Sequence, residues 1–569
     1  MRFYRFLLLL TWLLSMGMVA QAQEPDVFGQ AEAQCAGLPH GLLRAVAFTN
    51  THCHHLTDAD YSLPADDPQA MPRAYGMMGL VKDGKGYFRE NLSTVAALSG
   101  FAEEAILEDP AVNVLAYAKA CVKLAEQYRI DGNRVADYLP VIEALSELPV
   151  GEGRDALPMK MMLYSVYEQL GEDLPVLFGA DYEILSARGL SFDKGPDYPP
   201  ALWVPAPECN YSERTNPVSG VVIHYTEGSY AGCISWFQNC DAQVSAHYVI
   251  RSSDGQVTQM VREADKAWHA RSANAYTIGI EHEAYGDIVS FFTPEMYASS
   301  ARLVRDICER YASIDGHHTF YTDTLDNGLT LNTGVWDLGG EGACLDIRGH
   351  QHYPGQSHTD PGPYWDWNYY YKLINEGTEV RQLGGPGVTS GILNHGHYGN
   401  DERRIWVITS DENTSISLQF SSFALERDYD FLWIYDGADV YAPKLGRWNT
   451  RSPGRVTSSS NAMCVEFRSD CEGTDLGWTA IWTARNNTAV SEYALEGVRT
   501  VQVGDELRLS TPDDQGYVAV LADLYGRVLA ERRFSESVSL NMEGLAQGTY
   551  LLRVTRTADG AFMAKRIIR

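Results

Sequence analysis

Residues 218–228 read VSGVVIHYTEG, and residues 347–367 read IRGHQHYPGQSHTDPGPYWDW. The first stretch is an apolar run of the kind a buried strand carries, and it ends on His224. The second holds His350, His358 and Asp360. Two imidazoles and one carboxylate drawn from these stretches offer three N and O ligands. They leave a fourth tetrahedral position for water, the pattern of a catalytic rather than a structural zinc. Water held there becomes a usable nucleophile near neutral pH. Taken singly, a histidine after a strand reads as a hydrogen-bonded core residue, and Asp-Pro-Gly reads as a turn. It is their joint occurrence in this order that marks a site.

Outward from these stretches the spacing predicts a helix over 235–238, strands over 246–251 and 277–280, and an amphipathic helix over 294–311. A further helix is predicted over 367–374. Strands interleaved with helices indicate an α/β domain. Upstream, residues 24–185 read as helices, with apolar residues at helical spacing over 41–48, 112–128 and 156–170. Downstream, Gly384-Gly385-Pro386-Gly387 reads as a linker, after which helical periodicity stops. Short alternating runs at 416–420, 431–435, 464–467 and 478–482 predict a β-sandwich. Residues 490–569 form a second all-β segment with turns at Gly526, Gly544 and Gly548.

At 569 residues the chain has room for several domains. Its formal net charge of −29 argues against a nucleic-acid partner, because nothing supplies a broad phosphate-neutralising surface. Arg2 and Arg5 precede an apolar run over 6–14 and the small-x-small site Ala20-Gln21-Ala22, which together read as a signal peptide over 1–22. The expectation is a protein exported through the periplasm, secreted or attached to the cell surface, with no transmembrane helix in the mature chain. Ten cysteines permit disulfides in such a compartment. Cys233 and Cys240 would stand about 10 Å apart on a continuous helix, so they pair only if that helix ends between them.

Residues 197–374 resemble the zinc-dependent N-acetylmuramoyl-L-alanine amidases, a family that shares its fold with the phage T7 lysozyme and the animal peptidoglycan recognition proteins. The stretches that carry the likeness are VVIHYTEG, SAHYVI, DGQVTQMV, AWHA, TIGIEHE, GHQHYPGQ and HTDPGP. The resemblance implies a mixed sheet flanked by helices over 186–380, with zinc held by His224, His350 and Asp360. It also implies cleavage of the amide between N-acetylmuramic acid and L-alanine in peptidoglycan or muropeptides. Glu281 falls on the family's catalytic glutamate, which takes and returns the proton of the attacking water. His358 falls where these enzymes often carry lysine, as a donor to the developing oxyanion. His247 and His269 match positions lining the family's groove, and each fits a packed core histidine equally well. His282 and His352 receive no role. The competing reading is a catalytically silent peptidoglycan-binding or adhesive surface protein; the full ligand set plus Glu281 speaks for the enzyme.

The flanks carry resemblances of their own. Residues 37–48, 75–80 and 113–120 resemble a lysozyme or lytic transglycosylase domain whose general acid is replaced by Asn50, so that region is expected not to cut glycan. The cluster Thr51-His52-Cys53-His54-His55 reads as a polar loop, since adjacent residues rarely all face one ion. Residues 388–485 resemble a CUB domain through Tyr429 to Gly437, Phe467 to Asp470 and Gly477-Trp478. Its usual cysteines are missing, and Cys464 with Cys471 stand in as a local pair. Glu426, Asp430 and Asp470 resemble the carboxylates of calcium-binding CUB domains, with a shorter 426-to-430 spacing than usual there. The last eighty residues resemble the C-terminal sorting domain of type IX secretion, through Asp523 to Val528, Leu545 to Val554 and the basic end Lys565 to Arg569. That likeness implies the type IX machinery as a partner. The expected fold class is therefore multidomain: an α-helical lysozyme-like region, an α/β amidase domain and two β-sandwiches.

Overall fold

In the computed structural model of the protein, the apolar run before His224 is a fully buried strand. The structure describes residues 26–170, 195–286, 288–317, 344–353, 357–427, 429–486, 498–523, 527–546, 548–558 and 562–569. The signal peptide over 1–22 and the turn at Gly526 lie outside the described residues.

The chain divides into two compact units. The first holds Met1–Thr378 with Asn400–Glu402 and Ser469–Gly473. Its helical part has, among the described residues, α1 (Val27–Gln34), α2 (Leu42–Thr51), α3 (Asn91–Ser99), α4 (Glu103–Glu108), α5 (Pro110–Tyr128), α6 (Val135–Leu145) and α7 (Leu157–Leu170). Asp109 starts α5 by accepting the Ala111 and Val112 amides, and Pro110 follows where no amide proton is needed.

The α/β part is built on β1 (Leu202–Trp203), β2 (Gly220–Tyr225), β3 (Tyr248–Ile250), β4 (Val257–Gln259), β5 (Thr277–His282) and β6 (Ile347–Gly349). Helices α8 (Tyr230–Gln238), α9 (Pro294–Arg310) and α10 (Trp367–Ile374) flank the sheet. The strand order is β6-β2-β5-β3-β4-β1; β3 and β4 run antiparallel and every other pair is parallel. Side chains alternate across a strand. Val221, Ile223, Ile278 and Ile280 therefore face the core formed with α9 and α10. Val222 and His224 face the opposite side. Helix α9 is started by Thr293, whose hydroxyl accepts the Met296 amide, and α10 by Asp366, which accepts the Tyr369 amide.

On the side of the sheet away from α9, the helical part and the α/β part share one continuous core. Val46, Val114, Ile142 and Val166 belong to the same apolar cluster as Ile234, Trp236, Val249 and Met260. The two parts expected as successive domains, 24–185 and 186–380, thus pack as one body. Arg251, just after β3, adds a polar tie between them, its guanidinium donating to the Ser165 hydroxyl of α7 at 2.8 Å.

Two disulfides close within this unit, Cys209–Cys240 and Cys344–Cys471. Helix α8 does end between Cys233 and Cys240, yet Cys233 stays a buried thiol and Cys240 reaches Cys209, 5.5 Å away between Cα atoms. The expected pairing of Cys464 with Cys471 is likewise corrected: Cys464 is buried inside its strand, and Cys471 bonds Cys344.

The second unit holds the β-rich remainder of the chain. Its sandwich comprises β7 (Val380–Gly384), β8 (Ser390–Gly396), β9 (Arg403–Thr409), β10 (Thr414–Ala424), β11 (Phe431–Tyr435), β12 (Lys444–Trp448), β13 (Arg455–Thr457), β14 (Ala462–Arg468) and β15 (Gly477–Asn486). They form sheets of order β7-β9-β14-β11-β12 and β8-β15-β10-β13 over a core that includes Trp406, Phe467 and Trp478. The glycine-rich stretch at 384–387 is a turn inside this sandwich, because Val380–Gly384 already pairs in parallel with β9. The last segment carries its own core around Leu507, Tyr517 and Leu552, between sheets of three and four strands.

Candidate active site

Parallel strands bring their carboxyl ends to one edge of the sheet, where ligands of open α/β sheets bind. His224 is the fifth residue of β2, and its partner across the parallel ladder is Glu281 on β5. His350 follows β6 directly, in the short turn Gly349 begins. Three side chains far apart in sequence thus meet because three neighbouring strands end together.

Asp360 completes the group from the loop ahead of α10. Its Oδ2 lies 2.8 Å from His224 Nδ1 and its Oδ1 lies 3.1 Å from His350 Nδ1. All three residues are buried, and their ligand atoms fall within 4.8 Å of one another. Ligands about 2.1 Å from a tetrahedral zinc stand about 3.4 Å apart. The donor set is thus collected at a spacing a small rearrangement would suit to one ion. Burial pushes the His224 imidazole down to about 4, against the pull of Asp360, so it is neutral and able to donate a lone pair. Burial works against ionised Asp360, yet His350 and His224 hold its carboxyl well below the ordinary range. A neutral His224 imidazole beside an ionised carboxylate is the pairing of protonation states a metal requires.

Glu281 sits on the same face. Its Oε2 is buried and has no hydrogen-bond partner among the described residues. Burial, reinforced by the charges of Asp360 and Glu227, raises its pKa well above the ordinary value. A buried carboxylate oxygen without a proton donor is costly unless a cation or a water belongs beside it.

The ring of His269 lines the cleft and places Nδ1 3.0 Å from His224 Nε2, fixing the orientation of that imidazole. Gly279 makes room for it: a Cβ there would come within 2.6 Å of the His269 ring. His247 belongs instead to the core. It has no exposed surface, and its Nδ1 accepts the Gly279 amide at 3.0 Å. The groove-lining role read for His247 is therefore corrected, because its side chain is enclosed behind His269. His358 stacks on His350 with ring centroids 4.5 Å apart and lines the cleft, its Nδ1 3.9 Å from Asp360 Oδ1. Burial lowers its pKa, against Asp360, so it is a neutral N–H donor. His282 spans from the His224 carbonyl to Ser300, and His352 accepts the Gly349 amide; both brace the strand ends.

The cleft is lined by Tyr225, Trp236, Trp268, Arg271 and Asn274 as well as the site residues. Sequence reasoning missed Glu227, whose backbone takes a positive φ of 49° at the cleft floor. It also missed a contribution from the helical part: Ser62, Leu63, Gln69, Ala70 and Met71. A polar residue in the HYTEG turn was the one local signal; nothing in the sequence links it to residue 62.

Asn50 is buried; its side-chain amide donates to the Met78 carbonyl, and its backbone carbonyl accepts the Tyr285 hydroxyl. His52 lies between the Phe48 and Phe291 rings, and His55 reaches the Leu107 carbonyl. In the sandwich, Glu426 is half-buried and Asp430 is buried. The Tyr398 hydroxyl donates to Asp430 at 2.5 Å.

The N-acetylmuramoyl-L-alanine amidase profile matches residues 214–363. N-acetylmuramoyl-L-alanine amidase A of Achromobacter lyticus is 44% identical over 189 residues, which span 97% of that protein and 32% of this chain. The chain belongs to the N-acetylmuramoyl-L-alanine amidase family. The amidase domain is followed by a CUB domain, whose profile matches residues 389–482. Human cubilin is 31% identical over 131 residues, 22% of this chain and only 4% of cubilin. Among solved structures, that of PlyL is 14% identical and covers 32% of this chain and 99% of its own, with a TM-score of 0.22. The likeness thus covers the amidase and CUB domains.

Proposed function

We propose that this protein is a zinc-dependent amidase that hydrolyses the amide between N-acetylmuramic acid and L-alanine in peptidoglycan. The observation that carries the reading is the convergence of His224, His350 and Asp360 beside the orphaned carboxylate oxygen of Glu281, in one cleft of the amidase domain. Those three ligands would hold the metal. When bound, zinc supplies Lewis-acid activation of water and of the scissile carbonyl. Glu281 accepts the proton of the attacking water and returns it to the leaving amino group of L-alanine. His358 donates an N–H toward the carbonyl oxygen as negative charge builds there. His269 keeps His224 aimed at the site. A protein that only bound peptidoglycan would have no use for a desolvated carboxylate next to the ligands.

Incubated with purified peptidoglycan, the protein should release stem peptides with new L-alanine amino termini and generate no new reducing ends. Chelation should abolish the release, and added zinc should restore it. Reducing ends without new amino termini would place the chemistry on the glycan and overturn the reading. The amide of Asn50 cannot itself supply the proton that glycan cleavage needs.

We infer a calcium ion in the CUB domain, where the carboxylates of Glu426 and Asp430 are hard oxygen ligands that suit it. We infer also that the C-terminal segment addresses the protein to type IX secretion after export through the periplasm. Its self-contained core supports a separable role. Deleting residues 490–569 should leave amidase activity intact and keep the protein from the cell surface. Normal surface display of the truncated chain would refute the assignment.

A further inference from the structure

One flank of the amidase cleft is built by a segment that the family match does not include. Ser62, Leu63, Gln69, Ala70 and Met71 come from the helical part, more than 140 residues before the profile begins at 214. The segment is held firmly in place. The Ser62 amide donates to Glu227 Oε1 at 2.6 Å, and the Leu63 amide also bonds that carboxylate. The Trp236 indole donates to the Gln69 carbonyl at 3.2 Å. Lys85 donates to the carbonyls of Asp67 and Ala70 at 2.6 and 2.8 Å. Met71 packs on Gly228, where a Cβ would fall 1.7 Å from its terminal methyl. Gly228 is therefore the residue that lets the segment close on the cleft.

We infer that the segment Ser62–Met71 is a substrate-contacting wall, latched by Glu227, that narrows the amidase cleft to one unbranched muropeptide strand and so favours uncross-linked over cross-linked stem peptides. This rests on the amidase reading above. Trp268, Arg271 and Asn274 also line the cleft. A cross-linked stem carries a second peptide as a branch, and a branch needs an open flank. The wall residues that line the cleft carry no charge, and Leu63, Ala70 and Met71 are apolar. They suit the lactyl and alanyl methyl groups that flank the scissile amide. Glu227 acts as a positioning residue through the Ser62 and Leu63 amides.

The test uses the purified full chain, a soluble disaccharide–tetrapeptide and its cross-linked dimer. The wild type should show a higher kcat/KM on the monomer. Trimming the wall in a Leu63→Ala, Met71→Ala protein should reduce the monomer-to-dimer preference by about tenfold, the scale of a few lost methyl contacts. The change should lie in KM, with kcat on the monomer nearly unchanged, as loss of uniform binding requires. Glu227→Ala should act in the same direction by releasing the segment, and Ala70→Trp should raise KM for both substrates. Zinc content and melting temperature identify folded variants. An unchanged preference in the folded, zinc-loaded double variant or in Glu227→Ala overturns the wall. A wild type that cleaves neither substrate overturns the amidase reading instead.

Discussion

Glutamine in place of Glu281 should lower kcat by about 10²–10⁴-fold, the usual contribution of a general acid–base group, while zinc content and fold stay as in the wild type. The substitution keeps the shape of the side chain and one carbonyl oxygen. It removes only the ability to take up and return a proton. Glu281 lies across the ladder from His224 and is not one of the three close-set ligands, so metal retention is the expected result. Burial holds the carboxyl well above its ordinary pKa. A neutral amide at that place should therefore cost the fold little, and the melting temperature should hold or rise. His358→Ala should cost about 10²–10³-fold if its N–H serves the oxyanion, so Glu281→Gln should be at least as damaging. Release of alanine amino termini, measured with zinc content checked in each protein, decides this. Near-wild-type turnover by zinc-loaded Glu281→Gln would remove the proton shuttle, and with it the main reason to call the site catalytic.

The second large effect is on the metal itself. Asp360→Ala should abolish stoichiometric zinc and all activity. The carboxylate touches both histidine ligands, at 2.8 and 3.1 Å, so its loss removes one ligand and the group that aligns the other two. Outer partners of a ligand alone are worth about 10–100-fold in metal affinity, and a ligand is worth more. Metal binding also stabilises the folded chain by mass action. Added zinc should therefore raise the melting temperature of the chelated wild type and leave that of Asp360→Ala unmoved. The same metal analysis should count calcium separately, unchanged in Asp360→Ala and lost in Asp430→Asn. Full zinc retention by Asp360→Ala would sink the ligand assignment.

Much of the first unit was legible because its signals are local. The apolar run before His224, the Thr293-Pro294 start of α9 and the Asp366 start of α10 each specify an element from a few neighbouring residues. The order of strand, ligand histidine and acidic residue likewise pointed to the site, since residue type alone limits which groups can bind a metal or carry a proton. Sequence could not choose between two fates of one residue type. His247 and His269 read alike, and the structure encloses the first behind the second. Nor could it rank cysteine partners: Cys240 lies seven residues from Cys233 and bonds Cys209 across 31. The strand over 380–384 escaped notice because its pairing with β9 depends on residues 25 positions later, and a glycine-rich turn follows it.

By itself the sequence determined the classes of structure, the residues able to hold a metal and the carboxylate able to move a proton, because periodicity and side-chain chemistry are properties of short stretches. Only the tertiary structure decided that the helical part shares a core with the amidase domain and lends its cleft a wall. That arrangement rests on contacts such as Ser62 with Glu227, 165 residues apart, whose partners are chosen by packing and carry no mark in the local pattern.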